Sequence, residues 1–240
     1  ESTIQFHSII GVMLGLFLVF RINTAYDRWW EGRKLWGKLV NDTRYLAIKI
    51  NSILPTDRTA DREFFTEMIA NIAFATKEHL RDSILISELS LPDENLRNNV
   101  IASTHRPNKL ADALFGRTHQ LYKEHIIDGH QLYILDKELK GFVDMIGGCE
   151  RIKTTPIPFS FSMFIKKFLF IYSMTLPVSF AWQFGYWTTP IVILTFYFLV
   201  SVELISEEIE DPFGEDINDL PLDEICFKIK NNVEEIMLEK

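Results

Sequence analysis

Between residues 168 and 202 the chain carries no Asp, Glu, Lys or Arg. A helix needs ~20 mostly apolar residues to cross a bilayer, so this run is long enough for two short or tilted spans. Pro177 and Gly185 punctuate it, and 183–190, with Gly185 and Thr188-Thr189-Pro190, reads as the turn between them. Trp182, Phe184, Tyr186 and Trp187 cluster at that turn, where an interfacial aromatic belt would lie. A second apolar run, 9–20, extends back to Ile4 with Gln5, His7 and Ser8 as interruptions. Arg21 and a dense aromatic and charged stretch follow it instead of a small-residue cleavage site, which argues against a cleaved signal.

Residues 22–160 are polar with helical periodicity. In 61–80, Phe64, Phe65, Met68, Ile69, Ile72 and Phe74 recur mostly at three- and four-residue spacings, which predicts an amphipathic helix. The stretch 83–110, with Pro92, Asn95, Asn98, Asn99 and Pro107, reads as helix plus loops, and 119–147 as one or two further helices ending near Gly147-Gly148. Beyond the membrane hairpin, Ile225, Ile229, Val233 and Ile236 form an apolar stripe in 223–240, which predicts a helix packing on the body or on a neighbouring subunit. Strand signals are weak throughout. The expected fold is all-α: a multi-helix integral membrane protein with a large helical cytoplasmic region. Its expected divisions are a membrane helix at 1–21, a cytoplasmic helical region at 22–160, a membrane hairpin at 161–206, and an acidic segment with a C-terminal helix at 207–240.

Composition changes this picture little. Of 240 residues, 47% are hydrophobic, which a soluble domain of this size could also carry; the distribution, not the total, requires a membrane. Charge sets the orientation, because Lys and Arg favour the cytoplasmic flanks of spans. Arg21, Arg28, Arg33, Lys34 and Lys38 follow the first run, and Arg151, Lys153, Lys166 and Lys167 precede the second. Both flanks are therefore expected in the cytoplasm, with the bulk of the chain, and the protein is expected to be a multi-pass protein of the plasma membrane. Residue 1 then lies outside, which predicts a further apolar span upstream of it. A net charge of −8 argues against nucleic acid as a partner. Cys149 and Cys226 stand in no metal or redox spacing and read as free thiols in a reducing compartment.

Candidate chemistry is sparse. His119, His125 and His130 are spaced by six and five residues, which is not the i,i+4 pair of a helical zinc site, and they read as surface histidines. No Gly-rich phosphate loop and no nucleophile neighbourhood is visible, so an enzyme is not expected. The segment 207–224 is dense in Glu and Asp, and Pro212 and Gly214 would support a cation-binding loop, although the spacing is not that of a calcium-binding helix-loop-helix. A solvated acidic connector is the other reading. Val12, Leu16 and Phe20 lie at i, i+4 and i+8 on one helical face. In a symmetric oligomer such a face gives stacked apolar rings, which can gate a pore by dewetting, or it packs against neighbours. Gly11 and Gly15 form a small-xxx-small pair that admits a second helix.

The stretch 21–37, with Arg28-Trp29-Trp30 at its centre, resembles bacterial homologues of the bestrophins; the Arg-Trp-Trp core is similar in animal bestrophins. Thr155-Pro156-Ile157-Pro158-Phe159, before the hairpin, and Asp211-Pro212-Phe213-Gly214-Glu215-Asp216, after it, match in the same order. The resemblance implies a funnel-like homopentamer around a central pore, with four membrane helices per subunit, of which 1–21 is the second and pore-lining one. It places the pore neck at Val12, Leu16 and Phe20 and the cytosolic aperture at Ile157. It implies a passive channel for small monovalent ions, chloride or sodium and potassium, in the bacterial inner membrane. At −8 per chain, a pentamer would be strongly negative, which leans towards cations. Glu215, Asp216 and Asp219 match acidic positions of the calcium cluster in animal relatives, but Ile217 and Asn218 interrupt it. A divalent cation there is a candidate ligand, calcium gating is not expected, and no cofactor is required. Expected partners are four further copies of the chain, membrane lipids and inorganic ions. The alternative is a non-conducting membrane scaffold or signalling protein that binds through its cytoplasmic helices.

Overall fold

The first apolar run and the Arg-Trp-Trp stretch form one unbroken helix, α1, Ser2–Ile53. No proline interrupts the chain before Pro55, so the backbone ladder has no reason to stop. The computed structural model describes residues 2–83, 85–91 and 93–238. It divides into two compact units: residues up to Glu31 with Thr155–Asp219, and Gly32–Thr154 with the residues from Leu220 on.

In the first unit, α1 buries His7, Leu14, Leu18, Arg21 and Ala25, which recur at three-, four- and seven-residue steps along one face. That face packs on α6, Phe159–Phe184, and α7, Thr188–Glu210. Leu14, Leu18, Ile165 and Leu169 make its core, with Phe17, Phe168 and Leu199 around them. Burying one such leucine fully stabilises by about 2 kcal/mol in water and by less where lipid is the alternative. A 3-10 turn, Gly185–Trp187, joins α6 to α7 where a turn was expected, and Gly185 sits at φ +52°, a conformation glycine adopts without strain. Pro177 does not end α6; the helix runs through it, which leaves the Ser173 carbonyl without its i+4 donor. Both the α1 stretch from Ile4 and the stretch Phe159–Glu210 contain segments long and apolar enough to cross a membrane.

The second unit is built around α2, Thr59–Leu80. An amphipathic helix was expected, yet α2 is buried on all sides from Met68 to Glu78. Small residues explain this: Ala70, Ala73, Ala75 and Thr76 fill what would otherwise be the solvent face and let α4, Arg106–Lys123, and α8, Leu222–Leu238, pack closely. The α8 stripe at Ile229 and Val233 is buried, and residues 239 and 240 of the expected helix lie outside the described residues, as does Pro92. Asp93 caps α3, Glu94–Ala102, by accepting the Asn95 N–H at 2.9 Å. Helix α5, Gly129–Thr154, continues past Gly147-Gly148, where an end was expected. Gly148 serves packing instead: a Cβ there would lie 2.9 Å from the Leu35 Cδ2 of α1. The Thr155-Pro156 dipeptide stops the helix.

Lys77 is the charged centre of this unit. Its ammonium is 1% exposed and faces Glu88 at 2.5 Å, Asp223 at 2.7 Å and Glu78 at 3.2 Å. Burial alone would push the Lys77 amine down, but its hydrogen bonds to Asp223, Glu88 and Glu78 outweigh this and raise it. Burial would likewise push the Asp223 carboxyl up, but hydrogen bonds and charge from Lys77 and Arg81 hold it below the usual carboxylate range. A depressed carboxylate contributes stability above its unfolded pKa, and that contribution is lost as pH falls through the folded value. Lys77→Met is expected to cost about 3 kcal/mol at pH 7, the low end for breaking a buried ion pair, because Asp223 is half-exposed. Thermal unfolding of the detergent-solubilised protein should show the gap to the parent narrowing as pH is lowered through the carboxylate range.

Candidate functional site

The exposed face of α1 in the first unit carries all three predicted neck residues. Val12 is 74% exposed, Leu16 54% and Phe20 55%, whereas Leu14 and Leu18 between them are buried. Gly11 faces α6, where an added Cβ would lie 2.6 Å from the Tyr172 hydroxyl, and Gly15 has open space around it. One of the two glycines thus serves a close helix approach.

Ile157 sits half-buried in the short loop between α5 and α6. Two contacts hold that loop, and a third, from Trp29, ties the loop after α7 to the same stretch of α1. From α1, Arg28 donates through Nη1 to the Thr155 carbonyl at 2.5 Å and through Nε to the Glu210 carbonyl at 3.1 Å. From the end of α7, Glu210 accepts the Ile157 N–H on Oε1 at 2.8 Å. Trp29 donates its indole N–H to the Asn218 carbonyl at 2.9 Å, and Asn218 in turn donates to Glu208. The motifs meet in space because Arg28 and Trp29 supply donors to carbonyls that the two loops leave without helical partners.

Arg21, one residue beyond Phe20, is 1% exposed. Its Nη1 lies 2.7 Å from Glu210 Oε2 and its Nε 3.7 Å from Glu203 Oε1. Both contacts are ion pairs rather than aligned hydrogen bonds, and neither carboxylate oxygen of Glu203 has a hydrogen-bond partner. One buried cation thus faces two carboxylates. In the sequence, Arg21, Glu203 and Glu210 stand out only as members of charged runs. The signal was present: Glu203 and Glu210 are seven apart, two helical turns on one face, and a lone arginine directly follows an apolar run.

In the acidic loop, Asp216 and Asp219 come together. The Asp216 N–H donates to Asp219 Oδ2 at 2.8 Å, and the Asp219 N–H donates back to the Asp216 carbonyl at 3.0 Å. Phe213 anchors the loop by burial, while Glu215 and Asp216 are exposed. Among the described residues, Glu215, Asp216 and Asp219 do not converge as ligands; the set that does, within 4.8 Å, is His79, His105 and Glu150 of the second unit. There both imidazole Nε2 atoms lie 2.7 Å from Glu150 Oε1. His105 Nδ1 accepts the Asn108 N–H at 3.2 Å, so the neutral ring carries its proton on Nε2 and donates to Glu150 rather than offering a lone pair to a metal. No local spacing could have revealed this group, whose members come from three helix ends and interiors. His119, His125 and His130 are exposed and unassembled as a group.

Burial pushes the Asp219 carboxyl up; the Asp216 N–H opposes this, and the charges of Asp216, Asp211 and Glu208 reinforce it. A raised carboxylate loses stability as pH climbs from its unfolded towards its folded value. Asp219→Asn keeps an acceptor for the Asp216 N–H and removes the charge. It is expected to raise the melting temperature at pH 7 and to leave it unchanged below the carboxylate range. A variant less stable at pH 7 would contradict this reading of the loop.

A sequence profile described as "Bacterial/Fungal Bestrophin protein" matches residues 1–235. A voltage-dependent anion channel-forming protein of Nostoc sp. is 39% identical over 233 residues, covering 95% of this chain and 76% of that protein. YneE of Escherichia coli K12, of the same description, is 34% identical over 233 residues, 96% of this chain and 75% of its own. The crystal structure of a bacterial bestrophin homologue from Klebsiella pneumoniae superposes with a TM-score of 0.93 at 27% identity, covering 98% of this chain and 87% of that one. The all-helical architecture with apolar membrane-spanning stretches is that of a membrane protein. The chain belongs to the bestrophin family.

Proposed function

We propose that this chain is the subunit of a passive ion channel, a funnel-like homopentamer around a central pore in the bacterial inner membrane. The observation that carries the reading is the exposed apolar face of Val12, Leu16 and Phe20 on a helix whose opposite face is packed. In a fivefold assembly that face would form three apolar rings one turn apart. Such rings impose a dehydration barrier and act as gates more than as charge selectors. In this reading 1–21 lines the pore, 22–160 forms the cytoplasmic body, 161–206 is the membrane hairpin, and 207–240 returns to the cytoplasm. Ions leave past Ile157. Permeation of this kind needs no cofactor and no enzymatic step.

The permeant species are small monovalent ions. Relatives over 30% identical carry a name that says anion, and this outweighs the leaning towards cations drawn from net charge. A net charge describes the field of the whole surface, not that of a pore wall. Reversal potentials of the protein reconstituted in planar bilayers under a potassium chloride gradient are expected near the chloride equilibrium potential. A value near the potassium potential would restore the cation assignment. Leu16→Ala and Phe20→Ala are each expected to widen the neck and raise single-channel conductance, and unchanged conductance in both would count against this pore face. Micromolar calcium is expected to leave the current unaltered.

A further inference from the structure

Glu210 touches two places that matter in the channel reading, and it does so with one carboxylate. Oε2 takes Arg21 at 2.7 Å, and Oε1 takes the Ile157 N–H at 2.8 Å. Arg21 belongs to the same helical turn as Phe20, so its position reports that of the neck face. Ile157 is flanked by Pro156 and Pro158, which have no N–H. Its amide is therefore the single backbone donor in 156–158, and Glu210 takes it. The loop's other hold, the Thr155 carbonyl, goes to Arg28, which also grips the Glu210 carbonyl.

We propose that Glu210 is a positioning residue that couples the neck to the aperture, with the Arg21–Glu210–Ile157 chain as the mechanical link. The inference rests on the channel reading above. A displacement of α1 at the level of Phe20 moves Arg21, and a carboxylate held on both oxygens cannot follow Arg21 without pulling the Ile157 amide. Glu203 makes the link releasable. Its carboxylate lies 3.7 Å from Arg21 Nε with no hydrogen-bond partner, so Arg21 can shift its pairing to Glu203 without becoming a stranded buried charge. The same feature lets Arg21 keep a carboxylate when Glu210 is replaced.

Two readouts on the full reconstituted protein test this. The first is amide hydrogen exchange of the peptide containing Ile157. Glu210→Ala is expected to speed exchange at Ile157 by tenfold or more on the order of a lost buried hydrogen bond, whereas Glu210→Gln, whose amide oxygen still accepts that N–H, keeps the native rate. Equal rates in the alanine variant and the parent would overturn the tether, whether or not the protein conducts. The second is a double-mutant cycle on open probability with Phe20→Ala and Ile157→Ala. In the native background the two fold-changes should fail to multiply by about threefold or more, as for residues sharing one network. In the Glu210→Gln background, where the Arg21 ion pair is gone, they should multiply. Non-additivity that persists with glutamine at 210 would overturn the coupling. Absence of any current in the parent would instead defeat the channel reading and leave the exchange result to judge the tether.

Discussion

A buried arginine at the foot of an apolar helix constrains the whole first unit. Arg21 is 1% exposed, and a guanidinium in that position is tolerable only beside carboxylates. They come from the far end of α7, since 168–202 holds no charged residue at all. The requirement brings Glu203 and Glu210 against α1, fixes the register of α7 on it, and places the loop carrying Ile157 within reach of the same carboxylate. Arg28, two turns further along, repeats the arrangement with carbonyls instead of carboxylates. The apolar packing of Leu14, Leu18, Ile165 and Leu169 supplies contact area, but leucine on leucine is weakly specific as to register. The ions and hydrogen bonds supply the specificity.

The second unit shows the same economy. Lys77 gathers Glu78, Glu88 and Asp223 from α2, the segment after it and α8. A helix rich in alanine can be surrounded on every side, and Lys77, the one Lys or Arg in its buried stretch 68–78, then decides which neighbours carry acid. Separately, His79 of α2 and His105 before α4 both meet Glu150 of α5, by hydrogen bonding rather than by metal ligation.

Much of this was legible in the sequence. The charge-free run and its Gly185 turn announced the hairpin, the apolar stripe of 223–240 announced α8, and the Val12, Leu16, Phe20 spacing marked the face that the structure leaves exposed. What was missed has physical causes. Paired glycines at 147 and 148 look like a helix end, but glycine also marks close packing, and only the partner Leu35 tells the two apart. The face of α2 was misjudged because alanine and threonine are silent in a hydrophobic pattern. The Arg21–Glu203–Glu210 group spans 182 to 189 residues of chain, and no periodicity reports a contact across such a distance. The acidic match at Glu215, Asp216 and Asp219 came from the family resemblance, and a sequence match does not show that Asp219 Oδ2 already takes the Asp216 N–H.

In the channel reading, the Val12, Leu16, Phe20 face of α1 lines a water-filled ion path. Cysteine accessibility tests it most directly, since the native Cys149 and Cys226 are both buried. Leu16→Cys and, as a packed control, Leu14→Cys would each be recorded in bilayers during exposure to a charged, membrane-impermeant thiol reagent. Current through the Leu16→Cys protein is expected to change stepwise on modification, and current through Leu14→Cys to be unaffected. Modification of position 14 with position 16 inert would place the pore on the other side of the helix and contradict that reading.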